Sequence, residues 1–318
     1  MTGAPYLQRF GLVVLIVMGL VLWPVHAHTA EPDVAQETTE DRQAVQDSVQ
    51  DEATRQLDEK RKELIADAGA ALDETEKALT ALDDGDTRAA LDSLALATGK
   101  LELIVARDPE LALAPVGVDL ISRDFVGDLE TIEGTRTVIE EMIDDGKIQQ
   151  ARPLIRDFAS ELIVETTNLP LATYPEAIKL ATAMIDEGDT EGAKRTVQTA
   201  LATLVITEDV IPLPILRAEL LLAKAEAGLS GIETAKEEAA QQEDADVTKP
   251  AEYVEAARKE LEIAEALGYG VDTDYADVRE SLEQLDEQIE AKDDTGGIFR
   301  TLADNFSELR ARIFGDEA

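Results

Sequence analysis

The stretch MIDEGDTEGAKRTV, residues 184–197, holds a pattern that occurs three times in the chain. An apolar segment runs into two acids and a glycine, and a second segment starts within two residues. LDDGDTRAAL (82–91) and IDDGKIQQAR (143–152) repeat it. Gly at such a point takes the left-handed conformation that ends a helix, and Asp86 or Asp189 behind it can cap the next helix. Acids at a helix C-terminus are disfavoured by ~0.3–1 kcal/mol. The positive N-terminus of the following helix offsets that penalty. The middle stretch has Lys147 at the capping place, which predicts the weakest of the three turns. A calcium loop fails, because an EF-hand needs acids at positions 1, 3 and 5 before the Gly at 6. Before Gly188 those places hold Ala183, Ile185 and Glu187.

Counting outward from Gly85, Gly146 and Gly188 extends the repeat. Leu82, Ile143 and Ile185 match three places before the glycine, and Ala90, Ala151 and Ala193 match five places after it. Leu94, Ile155 and Val197 follow, then Ala97, Phe158 and Ala200, then Leu101, Leu162 and Leu204. These offsets have helical spacing, so each second helix is expected to bury one stripe. Pro109, Pro170 and Pro212 each stand 24 residues after their glycine. The second and third units are 42 residues apart and the first is displaced by 61, which implies a 19-residue insertion around Val116 to Gly134. Hairpins of this kind cannot bury their apolar faces alone and are expected to stack.

The expected fold class is all-α, a repeat-like bundle of stacked antiparallel helical hairpins with a C-terminal helical extension. No segment reads as a β-strand. The expected divisions are a signal peptide at 1–27, an acidic, mobile lead-in at 28–56, an all-helical domain at 57–290, and a linker with an amphipathic helix at 291–318. A single helix is expected from Leu57 to the first glycine turn. Further helices follow from Pro250 to Leu267 and from about Asp274 to Ala291.

Arg9, the apolar run Phe10 to Trp23, and the small-residue site at Val25-His26-Ala27 form the three parts of a secretory signal peptide. The run is shorter than the ~20 residues of a comfortable span. Cleavage after Ala27, cleavage after Ala30 and retention as an anchor are the outcomes it allows. The expected location is periplasmic, with no stable membrane insertion after cleavage. Removing the segment takes away the only Trp and leaves at most His28; the chain has no Cys. Thiol chemistry, a His-based zinc site and a His-dependent triad are thereby excluded. No cofactor, no metal and no enzymatic activity are expected.

The formal charge is −39, from 68 acids against 29 basic residues. Such a surface repels nucleic acid and anionic lipid, so neither is an expected partner. Acids in this excess, with few lysines, suit a high-salt environment as well as plain solubility. Full helicity in salt-free buffer at neutral pH would remove support for salt adaptation.

LPLATYPEAIKLATAMIDEGDTEGAKRTVQTALATLVITEDVIPLPILRAELLLAKAEA (169–227), with AEALGYG (264–270), resembles the YfdX family of periplasmic proteins. The shared features are Leu-Pro-Leu, the glycine-turn helix pair, Pro-Leu-Pro and Gly-Tyr-Gly, and the resemblance covers about residues 60–290. It implies an all-helical exported protein linked to acid and drug stress, with pH-dependent self-association and chaperone-like or small-molecule-binding behaviour. No catalytic residues come with it. The more acidic surface, the polar lead-in and the Phe-rich tail depart from the family pattern.

The candidate ligand- or partner-binding residues are Asn168, Pro170, Tyr174, Pro212, Pro214, Arg217 and Tyr269. The prolines force extended exits beside Tyr and Arg, as a ligand groove or subunit contact uses; prolines that simply end helices are the structural alternative. Tyr269 either lines a binding lip with Tyr275 or is packed with its hydroxyl satisfied. Phe299, Phe306 and Phe314 are candidate oligomer or docking contacts, or members of a helix that closes the core. The expected function is a non-enzymatic stress-response protein that self-associates, as a homo-oligomer, and binds unfolded clients in a pH- or salt-responsive way. The alternative is a small-molecule binding protein with a pocket between the two proline exits.

Overall fold

The repeating unit of the computed structural model is helix–helix–strand. The structure describes residues 34–238, 248–291 and 293–315; the signal-peptide segment and its cleavage sites lie outside them. Eleven helices and three strands occur among the described residues, so the chain is predominantly helical as expected. Unit one is α2 (Ala66–Asp83), α3 (Thr87–Arg107) and β1 (Leu113–Arg123). Unit two is α4 (Leu129–Asp144), α5 (Ile148–Asp157) and β2 (Glu161–Pro170), and unit three is α6 (Tyr174–Asp186), α7 (Thr190–Leu201) and β3 (Val205–Pro212). The described residues from Asp41 onward form one compact unit.

The glycine turns form as the sequence implies. Gly85, Gly146 and Gly188 have φ of 78°, 73° and 87°. The next N–H in each case reaches back to the helix, from Asp86 to Ala81, Lys147 to Met142 and Asp189 to Met184, all at 2.8 Å. This is the 6→1 bond of a Schellman cap. Asp86 accepts from the Ala89 amide at 3.0 Å and Asp189 from the Gly192 amide at 2.8 Å. Lys147 supplies no cap.

The strands correct the expectation that no segment forms a β-strand. LIVETT in β2 and VITEDVI in β3 are rich in β-branched residues, which fit a pleated half-buried surface better than a helix. Leu162 therefore lies in β2, and Leu204 in the turn before β3, not on a continued helical stripe. Pro170 and Pro212 end strands, where a missing N–H is tolerated. Pro109 precedes its strand, so its equal spacing does not reflect an equivalent place. From glycine to strand end is 38 residues in unit one (Gly85 to Arg123) and 24 in the others, and most of the difference lies in the 21-residue α3, against 10 in α5 and 12 in α7, ahead of the expected place around Val116 to Gly134.

The sheet order is β1-β2-β3, antiparallel throughout. One end pairs Leu113 with Pro170; the other pairs Arg123 with Glu161 and Glu161 with Pro212. A separate apolar cluster gathers toward each end. Near the first, α2, α3, α6 and α7 bury Ala71, Leu94, Ile178 and Val197 together with Ala114 of β1 and Leu169 of β2. Near the second, Leu162 joins residues of α1 (Val34–Glu63), α8 (Leu213–Glu238), α9 (Thr248–Ala266), α10 (Ala276–Ala291) and α11 (Gly296–Phe314). Close approach of α8 and α9 uses Ala225, Ala257 and Ala264, all fully buried.

Two flanking expectations are also corrected. Residues 34–63 are helical, and Val45, Val49 and Ala53 pack into the second core, where a mobile lead-in was expected. The single helix expected from Leu57 is broken at Leu64 and Ile65, where the Ile65 amide donates to Pro115 O of β1 at 3.0 Å. The chain leaves the helix there to dock on the edge strand.

Candidate functional site

The candidate binding residues fall into two groups, one at each end of the sheet. Asn168, Pro170 and Tyr174 lie where β2 ends; Pro212, Pro214, Arg217 and Tyr269 lie where it begins. Because β2 and β3 are antiparallel, their proline exits are separated by the length of the ladder, about 30 Å at ~3.3 Å per residue. A single pocket between the two exits is therefore not formed.

At the first end the residues are structural. Asn168 donates to Thr166 O at 2.9 Å and to Thr207 Oγ1 at 3.1 Å, tying β2 to β3. Tyr174 is fully buried, and its hydroxyl makes no well-formed hydrogen bond. Burial pushes that hydroxyl up to about 12, with the nearby Thr75 side chain opposing weakly.

At the second end a polar junction forms around Ser160, which is 1% exposed. Its backbone carbonyl accepts from the Leu213 amide at 2.8 Å, and its amide donates to the Tyr269 hydroxyl at 2.9 Å. Its own hydroxyl donates to Asp124. The other oxygen of Asp124 accepts from Arg217 at 2.5 Å, and Arg217 stands 4.0 Å from Glu260 of α9. Tyr269 is placed by the Gly268-Tyr269-Gly270 turn, whose glycines have φ of 88° and 89°. Tyr275, fully buried, donates to Tyr269 O. Both tyrosines are thus packed with satisfied hydroxyls rather than forming a lip.

Glu260 is the chemically distinctive member. Burial pushes its carboxyl up to about 7, with Arg217 opposing and Asp124 reinforcing the shift. Its Oε2 makes no hydrogen bond. Burial also raises Glu219 of α8, against the attraction of Arg310 of α11. The sequence reading did not single out Asp124, Ser160 or Glu260. Glu260 had a signal, since it lies three after Ala257 and four before Ala264, on the face that both bury.

The Phe-rich helix closes the second core. Phe299 and Phe306 are 6% and 2% exposed within it, which removes them as docking contacts; Phe314 is exposed. No helix among the described residues is long and apolar enough to cross a membrane, and no cluster of three metal-ligating side chains occurs among them. A surface groove of about 530 Å³ runs along α2 and the first glycine turn, lined by Asp73, Glu76, Lys77, Asp84 and Asp86.

The α4–α5 hairpin differs from its two relatives. Ile143 is 46% exposed where Leu82 and Ile185 are 5% and 7%, and Ile155 is 46% exposed where Leu94 and Val197 are fully buried. Val138, Ile148 and Leu154 are exposed beside them. Five of the fourteen large apolar residues exposed among the described residues sit on these two helices, so the stripe is concentrated rather than scattered. Ile132, on the same stripe of α4 as Ile143 but three turns earlier, packs against Ala266 and Leu267 at the end of α9.

These features define a class: a helix-rich protein in which three helix–helix–strand units build a small sheet between helical clusters. Residues 71–210, from within α2 into β3, match the family described as YfdX protein. The match spans nearly all of the three units and leaves α1 and α8–α11 outside. A structure of Salmonella Typhi YfdX is similar at 13% identity, covering 47% of this chain and 93% of that chain, with a TM-score of 0.33. No curated protein matches.

Proposed function

We propose that this chain is a non-enzymatic, exported stress-response protein that self-associates and binds unfolded clients through apolar helix surface, with assembly responsive to pH. The observation that carries the reading is the exposed stripe of α4–α5 on a chain of charge −39. Each such Ile or Leu gains ~1.5–3 kcal/mol on full burial, so a bare row of them favours a partner. Charge supplies the control. Near neutral pH self-repulsion keeps chains apart, and as pH falls toward ordinary carboxyl values of about 4 that repulsion fades. Light scattering and a client-aggregation assay from pH 7 to pH 4 test the reading. Growth in mass with suppressed client aggregation is expected; unchanged mass with no protection across the range would sink it.

The second reading, a small-molecule binding protein, is favoured by the α2 groove, whose acids would select a cationic ligand. Saturable thermal stabilisation by cationic amphiphiles, absent with anionic ones, would mark it.

A further inference from the structure

The two edges of the sheet differ. Along β1 the register shifts between Pro115 and Gly117, and the Ile65 amide ahead of α2 donates to Pro115 O. A bulge and a covering segment are both devices that keep another strand off an edge. β3 carries neither. Its eight residues pair with β2 in unbroken register, and its only proline is Pro212, its last residue. Among the described residues no strand or loop backbone pairs with its outer side. Val205, Ile206, Thr207 and Glu208 are exposed there, Ile206 by 60%. Such an edge presents its N–H and C=O groups as a template for one more strand.

Cross-strand register sets what that strand carries. Asp119 of β1 stands opposite Glu165 of β2, and Glu165 opposite Glu208 of β3, so three acids form one row across the sheet. None of the three makes an ion pair among the described residues, and like charges set directly opposite disfavour pairing. Asp209, on the other face, is matched by Lys60 of α1 at 3.0 Å, which leaves Glu208 as the unmatched charge of the edge. The rows beside it reach the edge as Val210, in line with Ile121 and Ile163, and as Ile206, in line with Gly117 and Thr167.

We propose that the outer edge of β3 binds an extended segment of another protein, paired antiparallel as a fourth strand. Its Lys or Arg lies opposite Glu208, with apolar residues two places to either side, against Ile206 and Val210. Charge complementarity selects this occupant, because a basic side chain there ends the acid row with a counter-charge. A second copy of this chain would bring its own Glu208 and Asp209 to the same edge and set acid against acid, so β3 pairs poorly with itself. The site is carried by β3 and does not rest on the reading of the α4–α5 stripe.

The probe is a fluorescent peptide, Ser-Val-Thr-Lys-Thr-Val-Ser, whose Lys and two Val share one face when extended. It is titrated with the full chain and followed by anisotropy, at about 0.15 M salt to screen general attraction to the acidic surface. Saturable binding with one peptide per chain is expected. Putting Glu in place of the Lys should weaken it about tenfold or more. Methylating the three central backbone nitrogens of the Lys peptide, which keeps its charge and removes donors, should weaken it by a similar factor, about tenfold. Glu208→Lys should reverse the preference toward the Glu peptide by about tenfold, whereas Glu187→Lys, at an exposed acid of the third glycine turn, should leave it unchanged. Equal binding of the methylated peptide, or a preference that Glu208→Lys does not reverse, would reduce the effect to surface charge and overturn the site. Absence of binding would overturn it too, including the case in which sedimentation velocity shows the edge taken by a second copy.

Discussion

Glu260 concentrates the pH response of the fold in one side chain. Its carboxyl, raised by burial to about 7 from an ordinary 4.5, binds its proton more tightly in the folded chain than in the unfolded one. The folded state is therefore favoured while the group is protonated. That contribution is complete below pH ~4.5 and is lost as pH rises through about 7, by ~3 kcal/mol at most. Its charged neighbours are Arg217 on α8, which opposes the shift, and Asp124 after β1, which reinforces it. Glu260→Gln keeps the shape without the charge. Its melting temperature should exceed that of wild type at pH 8 by several degrees and converge on it near pH 4.5. Parallel melting curves for the two proteins across that range would show that Glu260 is not the sensor. Glu219, raised by burial against the pull of Arg310, works in the same direction.

The weakest element is the α4–α5 hairpin, for reasons visible in its residues. Lys147 leaves the first turn of α5 without the side-chain acceptor that Asp86 and Asp189 give α3 and α7, and Pro153 removes an interior donor from a ten-residue helix. Lys147→Asp should restore the cap and stabilise the chain by ~0.5–1 kcal/mol. The ion pair that Lys147 makes with Asp145 is exposed and worth little. Urea denaturation is the measurement, and a midpoint at or below that of wild type would count against the cap. This hairpin also marks the limit of what the sequence shows. Its turn, its helices and its match to the other two units are legible from Gly146 outward, because caps and helical spacing are local. The exposure of Ile143 and Ile155 is not, because the same positions are buried in hairpins whose neighbours happen to pack on them. The strands were hidden for a related reason: Leu162 and Leu204 extend the helical spacing by chance, while the β-branched runs around them point to strand. Arg217 and Tyr269 stand out in the sequence as a polar pair near turns. Ser160, which brings them together, reaches Tyr269 through its backbone amide and Arg217 through its hydroxyl and Asp124, long-range contacts that no residue pattern reveals.

At the scale of the whole molecule, the excess of acids opposes the fold. With 68 acids against 29 basic residues, most carboxylates have no cation available, and their mutual repulsion disfavours the compact state. Raising salt from 0.01 M to 1 M shortens the screening length from ~30 Å to ~3 Å, which removes most of that repulsion. The surface ion pairs lose strength as well, yet exposed pairs such as Arg136 with Glu140 and Lys179 with Glu102 are each worth under about 1 kcal/mol. Relief of repulsion therefore wins. The melting temperature at pH 7.5 should rise by ~4–8 °C over that range, equivalent to ~2 kcal/mol for a chain of this size. Differential scanning calorimetry at fixed pH measures it. A melting temperature that drops with salt would mean that the ion pairs, not the excess acids, set the stability of this fold.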